Sequence, residues 1–242
     1  MSESKTALIT GASKGLGLEV AKQLSAKGCK IILTGRSQNA LEIAREQLTN
    51  PSKHTVFCGN LLNQDLTRTL CKLPFLPDII VHSLGGKITE DKQPLNNDVL
   101  MESIALNLSV AINLNSHYFP LMQKSRCGRI IHISSDSSET GCGAPGYVAA
   151  KAATNAYVKS AAQFYAQFNM MICAVLPGIF SHADSVWDKK REAEPDVYQK
   201  QLQQMPMGRF LRVDEIAEIV SDIAVSESMA YSGSLIQLTG GF

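Results

Sequence analysis

Ala7-Leu8-Ile9-Thr10-Gly11-Ala12-Ser13-Lys14-Gly15-Leu16-Gly17 is a short apolar run followed at once by three glycines. Val20, Ala21 and Leu24 then recur at helical spacing before Gly28, so the stretch reads as strand, glycine turn and helix. A strand that enters a helix through glycines aims backbone N–H groups at whatever lies above the turn, and the helix dipole favours an anion there. Gly11 permits the turn, while Gly15 and Gly17 keep side chains out of a ligand's approach and out of the helix packing. The spacing is Gly-x-x-x-Gly-x-Gly rather than Gly-x-Gly-x-x-Gly, which leaves two readings open: a nucleotide cradle or a structural glycine turn.

Working outward, short β-rich runs at 30–34, 55–58, 78–82, 129–134, 171–176 and 234–238 alternate with helical spans at 40–48, 101–123, 147–168 and 213–225. Such alternation predicts an α/β fold: a Rossmann-like, doubly wound parallel sheet in a three-layer αβα arrangement. With 242 residues and no Pro/Gly/Ser-rich linker, one domain over 1–242 is expected. The spans 101–123 and 147–168 carry Ala, Ser and Asn between their apolar positions, which suits close packing on a sheet or against another subunit.

The 23 Lys and Arg balance 22 Asp and Glu, so nothing in the charge calls for nucleic acid or a membrane as partner. The first strand begins by Thr6, leaving no room for a leader, and no apolar run of about 18 residues is read, so a cytoplasmic protein is expected. Cys29, Cys58, Cys71, Cys127, Cys142 and Cys173 include no CxxC pair; they read mostly as buried thiols, with no metal expected.

After the second strand, where an acid would read a ribose, stands Arg36 in Thr34-Gly35-Arg36-Ser37. Lys14 and Arg36 could converge on the extra phosphate of NADP(H), with Ser13, Thr34 and Ser37 as lesser donors, or both could face solvent. Downstream, Tyr147 and Lys151 are four apart and share a helix face, where an ammonium stabilises a phenolate. Ser134, Ser135, Ser137 and Ser138 offer hydroxyls nearby; these groups serve either a carbonyl substrate or ordinary loop and helix polarity. Asn107, in Ala105-Leu106-Asn107-Leu108, needs partners, either a water chain toward Lys151 or a local helix-bending bond.

The order glycine loop, Asn107, Ser135, Tyr147-Val148-Ala149-Ala150-Lys151, Pro177-Gly178 and Gly240-Gly241 resembles the short-chain dehydrogenase/reductase family over essentially the whole chain. The resemblance implies a homodimer or homotetramer of Rossmann-like subunits that reduces a small-molecule carbonyl, or oxidises an alcohol, with NADP(H). It implies that Tyr147 protonates the carbonyl oxygen, Ser135 orients that oxygen, Lys151 holds the cofactor ribose and lowers the phenol's pKa, and Asn107 holds a water linking Lys151 to solvent. Cofactor contacts are implied at Gly11, Ser13, Lys14, Gly15, Leu16, Gly17, Arg36, Asn60, Leu61, Gly85, Tyr147, Lys151 and Pro177-Gly178-Ile179. An NAD-dependent alcohol dehydrogenase and a non-catalytic dinucleotide-binding scaffold are the competing readings.

Several positions depart from the family pattern. Asn60 stands where an acid commonly meets adenine, His82-Ser83-Leu84-Gly85 replaces Asn-Asn-Ala-Gly, with Ser83 inheriting a fold-stabilising role, and Cys173 replaces a common Asn. His182 stands for a Thr, either as a hydrogen-bond donor or as a surface histidine. Counting back from Tyr147 selects Ser134 and counting forward from Asn107 selects Ser135; Ser135 is preferred, because a loop absorbs a deletion that a strand cannot. The segment 180–209, without a clear sheet strand, is expected to form a substrate lid, with Trp187, Tyr198, Met205 and Met207 as its apolar wall.

Overall fold

Alternation along the strands sorts the core into two layers. In β1 (Thr6–Thr10), Ala7 and Ile9 join the apolar layer on one side of the sheet and Leu8 the layer on the other. The same division holds for Ile31 and Leu33 against Ile32 in β2 (Lys30–Gly35), and for Ile79 and Val81 against Ile80 in β4 (Ile79–His82). The computed structural model describes residues 4–73, 76–183 and 185–242.

With β3 (Thr55–Cys58), β5 (Gly128–Ile133), β6 (Met170–Pro177) and β9 (Leu235–Leu238), these strands form one parallel seven-stranded sheet in the order β3-β2-β1-β4-β5-β6-β9. The first face is covered by α1 (Gly15–Ala26), α2 (Gln38–Arg45) and α10 (Val213–Val225), through Val20, Leu24, Leu41, Ile216 and Val220. The second is covered by α5 (Val110–Ser125) and α7 (Pro145–Tyr165), through Leu114, Tyr118, Met122, Val158 and Tyr165. This is the doubly wound, three-layer arrangement expected from the sequence. Chain order reverses between β1 and β4, and the crevice beyond the C-terminal ends of those strands is where such sheets bind ligands.

Several short elements went unread in the sequence. α3 (Gln64–Cys71) is short but capped by Asn63, whose side chain accepts from the N–H groups of Asp65 and Leu66. α6 (Ser137–Thr140) is a single turn, and β7 (Phe180–Ser181) pairs with β8 (Leu211–Arg212) over two residues each, beside the main sheet. The expectation that no run reaches membrane-spanning length needs correction. α4 (Asn97–Ile104), a π-helical turn at Ala105–Ser109 and α5 form a 29-residue helix that is long and apolar enough by length and composition alone. Polar residues interrupt its apolar pattern, and in the fold Val110, Leu114, Tyr118 and Met122 are spent on the sheet.

Within the segment expected to form a lid, the apolar wall is laid out differently from the expectation. Segment 180–209 holds α8 (Val186–Ala193) and α9 (Pro195–Gln203), and its aromatics pack inward on Phe210: Trp187 at 5.2 Å and Tyr198 at 5.1 Å between ring centroids. Met205 is buried, whereas Met207 is exposed beside Gly240. These groups make a small core of their own more than a wall offered to a ligand. All six cysteines are free, with Cys29, Cys71 and Cys173 buried and Cys58 and Cys142 exposed.

Candidate active site

The glycine loop is built by close backbone approach. A Cβ on Gly17 would stand 2.5 Å from the Gly11 carbonyl oxygen, and Gly11, at φ +66°, passes so near Leu84 that a Cβ would meet its Cα at 3.0 Å. Lys14, the N-cap of α1, has extended backbone and no side-chain bond to the helix, so the first amides of α1 lack a protein cap. Thr10 Oγ1 accepts from the N–H groups of both Ser83 and Leu84, at 3.1 and 3.0 Å. The tie between the ends of β1 and β4 is therefore made by Thr10 through backbone, and not by the Ser83 side chain expected from the sequence.

A cleft of about 220 Å³ opens at this switch point, lined by Gly11, Arg36, Asn60, Leu61 and Gly85 of the anticipated residues, together with Thr34, Gly35, Gly59, Leu62, Leu84, Gly86, Lys87 and Leu106. Asn60 Oδ1 already accepts from the Leu62 N–H at 3.2 Å. Ser13, Lys14, Gly15, Leu16 and Gly17 lie at the α1 end, outside the lining of this cleft. Arg36, Lys87 and Lys14 form no ion pair among the described residues, although Arg45, Arg68, Arg209 and Arg212 all do. Unpartnered cations, uncapped amides and a cradle with no space for Cβ atoms fit an anionic dinucleotide. Lys87 was missed, although a cation directly after the glycines of β4 follows the logic that singled out Arg36.

Gly85 is where the cleft meets Asn107 and the Lys151 side chain of α7, since a Cβ there would lie 2.6 Å from Asn107 Oδ1 and 3.0 Å from Lys151 Nζ. Asn107 sits in the π-helical turn, and its carboxamide is fully engaged. Oδ1 accepts from Gly86 N–H at 2.8 Å, and Nδ2 donates to the carbonyls of Gly86 and Ser103 at 3.0 Å each. The side chain therefore makes one local bond, to Ser103 a helical turn back, and two that fix the loop after β4.

Lys151 is buried, with Nζ donating to the Ile133 carbonyl at 2.7 Å and lying 5.6 Å from the centroid of the Tyr147 ring. Desolvation pulls its pKa down to about 8. Burial pushes the Tyr147 phenol up, a hydrogen bond from Ser135 opposes this, and the nearby Asp136 charge adds to the rise. The phenol is therefore protonated at neutral pH and within bonding reach of Ser135. Ser134 turns the other way, its Oγ donating to Asn155 Oδ1 at 2.7 Å. Asn155 in turn donates to Ser138 Oγ at 2.8 Å and Glu139 Oε1 at 2.9 Å, fastening α6 to α7.

Gly178, at the end of β6, runs so close to β9 that a Cβ would meet the Thr239 Cα at 3.0 Å. The Pro177 carbonyl accepts from Asp136 N–H and the Ile179 carbonyl from Leu211 N–H. His182 is no free surface residue: its ring stands over Gly15, where a Cβ would lie 3.0 Å from Nε2, and Nδ1 pairs with the Ala183 carbonyl at 2.8 Å. Beneath the site, His82 and His132 pair across β4 and β5 with ring centroids 4.6 Å apart, and Asn115 joins them at 2.8 and 3.2 Å. Burial draws His82 down to about 4 and His132 well below its usual value, so both are neutral. Period-two patterning places such residues on one sheet face, but no local signal announces that they pair.

A phosphate-ready crevice that ends on a half-buried tyrosine paired with a buried lysine defines a Rossmann-type nicotinamide oxidoreductase. The chain belongs to the short-chain dehydrogenase family, whose family model matches residues 5–194. It is 29% identical to the 3-oxoacyl-[acyl-carrier-protein] reductase of Aquifex aeolicus, covering 99% of this chain and 97% of that one. It is 31% identical to the reductase of the same name from Salmonella typhimurium, again over 99% and 97%. A crystal structure of a 3-oxoacyl (acyl-carrier-protein) reductase from Agrobacterium tumefaciens C58 superposes with a TM-score of 0.89 at 24% identity, covering 98% and 94% of the two chains. Membership makes the chain an oxidoreductase that interconverts a carbonyl and an alcohol with NADP(H).

Proposed function

We propose that the chain reduces the ketone of a 3-oxoacyl thioester, with Tyr147 as proton donor. The observation that carries the chemistry is the meeting of a protonated, desolvated phenol with the Ser135 hydroxyl and the buried Lys151 ammonium at the end of the cleft. NADPH, when bound, supplies the hydride. Arg36 and Lys87 hold phosphate charge, the amides at the start of α1 take the pyrophosphate, and Gly11, Gly17 and Gly85 give room. Ser135 donates to the substrate oxygen and fixes it beside Tyr147. Tyr147 passes its proton to that oxygen as negative charge develops there. Lys151, as ammonium, stabilises the phenolate that remains. Asn107 acts through the loop it holds.

The substrate class is supported by the full-length likeness to the two 3-oxoacyl reductases, and reduction over oxidation by a cationic rather than acidic residue after β2. α8 and α9 close over the substrate as a lid, and the site works in the cytoplasm. Copies of the chain associate through α5 and α7, where Phe164, half exposed, stacks with Phe119 and Phe168. NADPH consumption and product analysis over acetoacetyl thioesters, simple ketones and keto-sugars test the substrate. Thioesters are expected to give the 3-hydroxyacyl product at the highest kcat/KM, and a preference for ketones lacking the thioester would overturn the substrate class.

A further inference from the structure

Asp91 lies in the loop between β4 and α4, 56 residues before Tyr147, yet its side chain is only 1% exposed and its carboxylate is taken up by the first turn of α7. Oδ1 accepts from the Gly146 N–H at 2.7 Å and Oδ2 from the Tyr147 N–H at 2.9 Å. The helix has no cap of its own, since Ala144 at the N-cap offers no side-chain acceptor and Pro145 has no N–H. A carboxylate on two amides at the positive end of a 21-residue helix is held by charge-assisted bonds and by the dipole. Gly146 makes the seat possible, because a Cβ there would stand 3.0 Å from Oδ1 and 3.2 Å from Oδ2.

The same loop begins at the cofactor cleft. Gly85, Gly86 and Lys87 line it, and Asn107 grips Gly86 through both its N–H and its carbonyl. One short segment thus runs from the cleft wall to the backbone amide of Tyr147.

We propose that Asp91 is a positioning residue for proton transfer, fixing the first turn of α7, and with it the Tyr147 phenol, relative to the cofactor cleft. The proposal rests on Tyr147 being the proton donor. Asp91 lies outside the lining of the cleft and spends its carboxylate on backbone amides, so its loss is expected to change the rate of the chemical step and leave binding alone.

The test compares D91A, D91N, G146A and the D91A/G146A pair for kcat, KM, the NADPH dissociation constant by fluorescence, and melting temperature, with Y147F alongside. D91A is expected to lose about tenfold to a hundredfold in kcat, the range that small misplacements of a reacting group cause, with KM and NADPH affinity within about twofold of wild type. D91N, near-isosteric and with one acceptor oxygen left, falls between and carries the test if D91A does not fold. G146A alone lowers kcat by displacing the carboxylate, and adding it to D91A brings no further loss, a non-additivity that a pair acting separately would not show. Unchanged kcat in D91N and D91A, or losses of kcat and NADPH affinity in equal measure, overturns the assignment of Asp91. A fully active Y147F overturns the reading of Tyr147 beneath it.

Discussion

Two neighbouring serines divide the labour at the end of β5. Ser135 faces the Tyr147 phenol, whereas Ser134 Oγ holds Asn155 at 2.7 Å inside the protein. S135A is therefore expected to lower turnover in a stable protein. S134A leaves the buried Asn155 oxygen without its donor and costs about 1–3 kcal/mol of stability, read by denaturant unfolding. If S134A is instead the variant with lost turnover and normal stability, the catalytic hydroxyl belongs to Ser134. Lys151 supplies a pH signature: its pKa is drawn from the usual 10.5 down to about 8, so it is ammonium below that pH and neutral above it. The phenolate left by reduction needs that charge. Single-turnover NADPH oxidation should be level on the acid side of about pH 8 and fall as pH rises through it, whereas a rate climbing through the same range speaks against the role of Lys151.

At the level of elements, α5 shows how firmly the second layer is fixed. Leu114 is fully buried between the sheet and α7, so Leu114→Ala should cost about 2–5 kcal/mol in urea or thermal unfolding; a loss below about 1 kcal/mol would mean the layer is packed differently. The sheet and its long helices were legible because their apolar periods, two and near 3.6, are written locally. The glycine loop, Arg36 and the Tyr147/Lys151 spacing were legible for the same reason, since each lies within one turn or strand end. Asp91 was not, because its partners Gly146 and Tyr147 are brought to it only by the crossover through β5. The His82–Asn115–His132 network is equally non-local. α8 and α9 escaped because their few apolar residues make no sheet-facing stripe, Trp187 and Tyr198 packing on Phe210 instead, and α6 because one turn carries no period.

For the whole molecule, charge is nearly balanced, at 23 basic against 22 acidic residues, yet the cleft holds Arg36 and Lys87, which form no ion pair among the described residues. That local excess selects the phosphorylated cofactor. Wild type should bind NADPH more tightly than NADH, and R36A should narrow the ratio; equal wild-type affinities, or a ratio unchanged in R36A, would place the 2′-phosphate elsewhere. The two halves of the fold, a crevice from β1 to β3 and the Tyr147–Lys151 pair on α7, meet at Gly85, and their joint use, one for the cofactor and the other for proton transfer, is the central claim. Its most direct test is turnover of Y147F on a carbonyl substrate, with NADPH binding measured on the same preparation. A folded Y147F that binds NADPH like wild type but turns over slower by about two orders of magnitude or more is the predicted result. Comparable turnover in that variant would contradict the account.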